Sequence, residues 1–229
     1  MNATLERASF LLGAGGPVLI ILLVLSVIAL AIILMKFWHF RKLGLGDQNF
    51  IKHALDYWRA GQANAGMMEL YRAPHPAARV LETAIKGIAE RRVSEQTIRE
   101  EVMRVGVEQV EDMRAQLRSL EVIATVSPLL GLLGTVMGMI NAFQQMEAAG
   151  TQVSPSILSG GVWEALLTTA VGLAVAIPVV IALNWFESKV DKARHTMEDA
   201  ATQIFTIQMT SQPDRSSAEQ TDQQIDPQA

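Results

Sequence analysis

The stretch WEALLTTAVGLAVAIPVVIALNWF, residues 163–186, decides the fold. Charge vanishes from Ala165 to Phe186, a run long enough to cross a hydrocarbon core, which takes about 20 residues of helix. Yet it is not uniformly greasy. Glu164, Thr168, Gly172 and Ala176 recur at steps of four and share one helical stripe, with Thr169 beside it and Pro178 further on. Small and hydroxylated groups of this kind suit a span packed against other helices. Beyond Phe186, the positions Val190, Ala193, Met197, Ala201, Ile204 and Phe205 keep a helical period. The span therefore continues as a helical extension over 187–208, and a rod of about 50 residues would measure about 75 Å. Residues 209–229 are polar, with two prolines, and read as a disordered tail.

Working toward the N-terminus, residues 147–161 form a short loop. Before it, residues 122–146 make a second uncharged block, assigned as a span over 121–146. Gly131, Gly134, Thr135 and Gly138 form its small face, including the GxxxG pair Gly134 and Gly138, and Pro128 sits one turn earlier. Upstream, Ile98, Val102, Val105, Val110, Met113, Leu117 and Leu120 recur at helical steps with no Gly or Pro at the membrane boundary, which predicts one helix running from 93 into the span. The rest of the domain over 36–120 reads as helices at 49–59, 63–72 and 77–92, broken by Pro74 and Pro76, with Gly44 and Gly46 as a helix stop. The first block, residues 8–35, has a core (VLIILLVLSVIALAIILM, 18–35) that is aliphatic on every face, as a lipid-facing span is. A neutral n-region, an overlong apolar stretch and no A-x-A site argue against a cleaved signal peptide, so 13–35 reads as a retained span after a short segment, 1–12. The fold class is an all-α membrane protein with three transmembrane helices, two of them extended into long cytoplasmic helices.

Composition agrees. Half of the 229 residues are hydrophobic and 18% charged, too little polar surface for one water-soluble globule. The absence of cysteine excludes disulfides, thiolate metal sites and cysteine nucleophiles. A net charge of −4 offers no basic excess for nucleic acid. Basic residues number one before the first span, 14 over 36–118, none between the second and third spans, and four after the third. The positive-inside rule then puts the N-terminus and the 147–161 loop outside, and the 36–120 domain and the C-terminus in the cytoplasm. Trp38 and Trp185 would lie at the cytoplasmic interface and Trp163 at the outer one.

Two accounts of the small, hydroxylated faces stay open. In one, glycines let backbones approach and threonines return bonds to the preceding turn. In the other, the hydroxyls of Thr135, Thr168 and Thr169 line a hydrated path, since a hydroxyl both donates and accepts, with Glu164 at its mouth. Glu164 has its own alternative, capping the start of its helix or reaching headgroups. No Asp, Glu, Lys or His lies in the middle of any span, so a proton path would need a carboxylate from another polypeptide. The four histidines are scattered, and there is no phosphate-binding loop or dinucleotide motif, so no cofactor, metal site or enzymatic activity is expected.

Two motifs carry a resemblance. VSPLLGLLGTVMGMINAF (126–143) resembles the second span of the ExbB/TolQ/MotA proton-channel family, with its S-P-x-x-G-L-x-G-T-V-x-G core, and residues 163–186 resemble that family's E-A-L-x-x-T-A-x-G-L-x-x-A-I-P signature. The likeness is nearest to ExbB and TolQ and extends by layout over about residues 15–208. It implies that Thr135, Glu164 and Thr169 match residues implicated in ion passage. It further implies a pentamer of this chain in a bacterial inner membrane, around an ExbD- or TolR-like single-span subunit whose transmembrane Asp carries the proton. That assembly would deliver work to a TonB- or TolA-like protein spanning the periplasm. Gly161 and Trp163 depart from the usual approach to the glutamate, and Thr168 adds a hydroxyl that leaves sodium coupling open. The alternatives are a flagellar-type stator, a non-conducting membrane scaffold, and a small-solute channel.

Overall fold

The computed structural model describes residues 16–90, 93–149 and 155–211. These form seven helices and no strand: α1 (Gly16–Lys42), α2 (Asn49–Arg59), α3 (Ala63–Arg72), α4 (Pro76–Glu90), α5 (Glu95–Arg114), α6 (Leu117–Ala149) and α7 (Pro155–Ser211). Three of them, α1, α6 and α7, are long and apolar enough to cross a membrane. The fold class is therefore the one expected. The segment expected at 1–12, residues 212–229 of the tail expected at 209–229, and the centre of the 147–161 loop lie outside the described residues. Residues 209–211, expected to be disordered, are instead the helical end of α7, where the Thr210 hydroxyl donates to the Thr206 carbonyl, and the flanks of the 147–161 loop are the helical ends of α6 and α7.

The chain divides into two compact units. The first comprises the described residues of Met1–His39 together with Arg114–Ser188. Although α1 is aliphatic all round in sequence, only one side of it is enclosed: Leu22, Ala29 and Lys36, seven residues apart, are buried, while Ile20, Leu23, Val27, Leu30 and Leu34 are exposed. A seven-residue period is the spacing that keeps one seam turned toward neighbouring helices. Phe37 stacks on Trp185 of α7, their ring centroids 6.0 Å apart.

The second unit comprises Phe40–Met113 and the described residues from Lys189 onward. Here the core is made of large side chains on amphipathic helices: Phe50, Ile51 and Leu55 of α2, Leu70 of α3, Leu81 and Ile85 of α4, Ile98 and Val102 of α5, and Met197, Ile204 and Phe205 of α7. Gly61 closes α2 with φ +73; its N–H donates to the Trp58 carbonyl, and that of Gln62 to Tyr57. This is the 5→2 and 6→1 pairing of a glycine-ended helix. Gly44, at φ +58, ends α1 as its position predicts. His75 is buried beside Phe50 and caps α4, its Nδ1 accepting the Ala77 N–H at 3.1 Å. Arg99 of α5 lies over the Phe205 ring, 4.1 Å from its centroid.

One expectation needs revision. The helix expected to run unbroken from 93 into the second span is two helices, α5 and α6, parted at Ala115 and Gln116. Gln116 adopts φ +64, a left-handed conformation that costs a non-glycine residue about 1–2 kcal/mol. Its carbonyl accepts the N–H groups of Ser119 (3.2 Å) and Leu120 (3.4 Å), so the break supplies the first bonds of α6. Met113 is buried in the second unit, and Leu117 and Leu120 are buried in the first. By contrast, α7 is a single helix of 57 residues.

Candidate functional site

Within the first unit α6 and α7 meet along an antiparallel seam at backbone distance. A methyl group on Gly172 would stand 2.6 Å from the Ser127 carbonyl oxygen and 3.1 Å from Gly131 Cα. On Gly131 it would meet Thr169 Cα at 3.0 Å, and on Gly138 the Ala165 Cβ at 3.2 Å. On Gly134 it would overlap Thr168, lying 2.6 Å from that residue's Cβ. Gly161, noted in the sequence only as a departure from the usual approach to the glutamate, faces Ala142 in the same manner, and its place one turn before Ala165 was the signal for a packing role. Ala176 is buried on the continuation of this face. Pro128 is half-buried within α6 and Pro178 exposed within α7; neither has an N–H to give to the carbonyl four residues earlier.

The hydroxyls are held by carbonyls. Ser127, fully buried, donates to the Ile123 carbonyl at 2.7 Å. Thr168 is 1% exposed and has two acceptors in reach, the Ala165 carbonyl of its own helix at 2.7 Å and the Gly131 carbonyl of α6 at 3.3 Å. Thr169, half-buried on the flank of the seam, donates across it to the same Gly131 carbonyl at 3.0 Å. Thr135, also half-buried, donates to Leu132 of its own helix at 2.6 Å. Each threonine on the flank thus commits its one proton to a backbone oxygen and keeps its lone pairs for whatever approaches from the open side. Glu164 is half-buried one turn before Thr168, and Gly16, the first described residue of α1, lies beside its Oε1, 3.8 Å from where a Cβ on that glycine would stand.

The structure thus gathers Thr168 and Thr169 on one carbonyl, sets Glu164 against the start of α1, and leaves the Thr135 hydroxyl bonded to its own helix. In the sequence Lys36 counted only among the basic residues that set the topology, whereas it is 3% exposed at the foot of the α1 seam. The seven-residue step from Leu22 through Ala29 was the signal available for it.

Residues 72–199, which include α6 and most of α7, match the MotA/TolQ/ExbB proton channel family. The chain belongs to this family. The MotA/TolQ/ExbB match is supported by relatives of two kinds. The biopolymer transport protein exbB1 of Vibrio cholerae is 38% identical over 94 residues, covering 39% of this chain and 41% of that protein. The Tol-Pal system protein TolQ of Pseudomonas aeruginosa is 40% identical over 88 residues, 38% of each chain. A protein named as ExbB-like in Synechocystis sp. matches more broadly, 30% identical over 183 residues that make up 76% of this chain and 82% of the relative. The alignments to the Vibrio and Pseudomonas proteins span less than half of either relative's length. Membership agrees with the two sequence motifs and with a membrane protein of three apolar helices.

Proposed function

We propose that this chain is a multi-pass inner-membrane subunit of an ion-motive-force-driven motor of the ExbB/TolQ kind, with its N-terminus periplasmic and its C-terminus cytoplasmic. In this reading a pentamer of the chain surrounds a single-span, Asp-bearing partner like ExbD or TolR. Thr135, Thr169 and Glu164 flank the proton path, and the assembly passes work to a TonB- or TolA-like protein that spans the periplasm. It breaks no covalent bond and needs no cofactor.

The observation that carries the proposal is the state of the two flanking hydroxyls. Thr135 and Thr169 have given their protons to the Leu132 and Gly131 carbonyls, so toward the open side they act as acceptors. An acceptor suits a protonated carboxyl or a hydronium ion, and the spans carry no titratable side chain at mid-depth that would serve as the station. A partner carboxyl is the complement that the chemistry asks for.

Thr135→Val and Thr169→Val keep the volume and delete the hydroxyl. Each is expected to abolish proton flux into liposomes that hold the chain with an Asp-bearing single-span partner, while assembly survives. Full flux in both variants would overturn the path. The chain alone should be silent in the same assay. Reporter fusions at Gly150 and Ala63 test the topology, the first expected to read periplasmic and the second cytoplasmic. A non-conducting scaffold is the second reading, favoured by the bonding of every hydroxyl on the seam within the chain. Silence of the wild-type chain together with its partner would select it.

A further inference from the structure

Thr168 and Thr169 are neighbours in sequence, but a helix turns about 100° per residue and separates their environments. Thr169 stands on the flank, whereas Thr168 points into the seam and fills the hollow above Gly134, with backbone of both helices around it. An ion ligand must offer a lone pair to an ion that can reach it. At 1% exposure between two helices at backbone distance, Thr168 has no room for a hydrated ion.

We propose that Thr168 is a positioning residue that locks the rotation of α7 against α6 and thereby aims the Thr169 lone pairs, and that it is not itself a ligand of the transported ion. Three contacts perform this. The side chain occupies the Gly134 hollow, the hydroxyl lies within reach of the carbonyls of Ala165 and Gly131, and the Gly131 oxygen also takes the Thr169 proton. A shift of α7 about its axis would disturb the contacts that cross to α6, namely the Gly134 hollow and the approach of both hydroxyls to the Gly131 oxygen. The bond to Ala165 lies within α7, moves with it and fixes only the Thr168 side chain. The extra hydroxyl at 168 therefore gives no preference for sodium over protons; selectivity stays with the flank. This inference rests on the reading that Thr169 lines a path, while the lock itself does not.

The test has two arms on the full-length chain. In detergent micelles, without any ion gradient, Thr168→Ser keeps the hydroxyl and should hold a thermal midpoint above that of Thr168→Val, which keeps the shape but sets a methyl group against carbonyl oxygens. Thr168→Val and Thr169→Val should also be non-additive, because they act through one carbonyl. The reverse order of midpoints, or strict additivity, overturns the lock. In proteoliposomes with the Asp-bearing partner, Thr168→Ser should conduct within about twofold of wild type and Thr168→Val about fivefold less, the factor that one typical net hydrogen bond is worth. Both should leave the ratio of sodium to proton flux unchanged. A changed ratio overturns the proposal by making Thr168 part of the path. If the wild-type assembly conducts nothing, the proposed function fails while the micelle arm still decides the lock.

Discussion

The α6–α7 seam and the core of the second unit are both closely packed, by opposite means. In the seam backbone comes against backbone, Gly172 against Ser127 and Gly131 against Thr169, and the side chains enclosed are small, among them Ser127, Thr168 and Ala165. In the second unit the enclosed groups are Leu70, Leu81, Ile85 and Ile204. The solvent makes the difference. In water, burying apolar surface is worth about 25 cal/mol per Å², so large side chains on amphipathic helices suffice. Between helices in lipid that drive is missing, and association relies on close van der Waals contact and interhelical hydrogen bonds, which small residues permit.

The largest expected effect breaks the seam. Gly172→Val places branched carbon against the Ser127 carbonyl, a backbone atom that cannot turn aside. The folded chain should be lost from micelles, as size-exclusion chromatography would show. A well-folded variant would mean that the seam is not held at backbone distance.

Next comes the water-driven core. Leu81→Ala, at a fully buried position, should cost about 3 kcal/mol. Hydrogen exchange on the full chain should then quicken in α4 while α6 stays protected. Equal deprotection of α6 would deny that the two regions are stabilised separately.

A smaller effect concerns His75. Burial lowers its pKa below the usual 6.5, with Asp47 opposing in part. Below pH 6.5 the unfolded chain binds a proton that the folded one resists, so the stability of α4 should fall as the pH is lowered through that value. Protonation at Nδ1 would also remove the acceptor for the Ala77 N–H. His75→Asn, which supplies a capping oxygen in place of Nδ1 but does not titrate, should flatten this dependence in hydrogen exchange without changing the seam. Smallest is Arg99→Ala, which removes a cation from the Phe205 face and should cost about 0.5–1 kcal/mol, again confined to the second unit.

Much of this was legible in the sequence. The helices at 49–59 and 63–72 fall where expected, and α4 starts one residue before the expected 77, at Pro76, because a proline that breaks what precedes it also suits a helix's first turn. The break at Gln116 was not legible, because Met113, Leu117 and Leu120 keep the helical period across it and no Gly, Asn or Pro marks it. Periodicity reports which side of a helix is buried and is blind to one residue that changes hand. Likewise the sequence showed a stripe through Glu164, Thr168 and Gly172 but did not say which of two adjacent hydroxyls is enclosed.

What the sequence by itself determined is the set of segments that leave water and their helical form, since a backbone in hydrocarbon must satisfy its hydrogen bonds within the segment. The small residues also announced that two of the three spans have protein neighbours. Only the tertiary structure decided that the Gly131 carbonyl is shared, that Thr168 sits over Gly134, and that Thr169 is left on the flank. Those facts depend on the rotation and register of one helix against another, a choice made by the closest contacts of both helices together and recorded in neither alone.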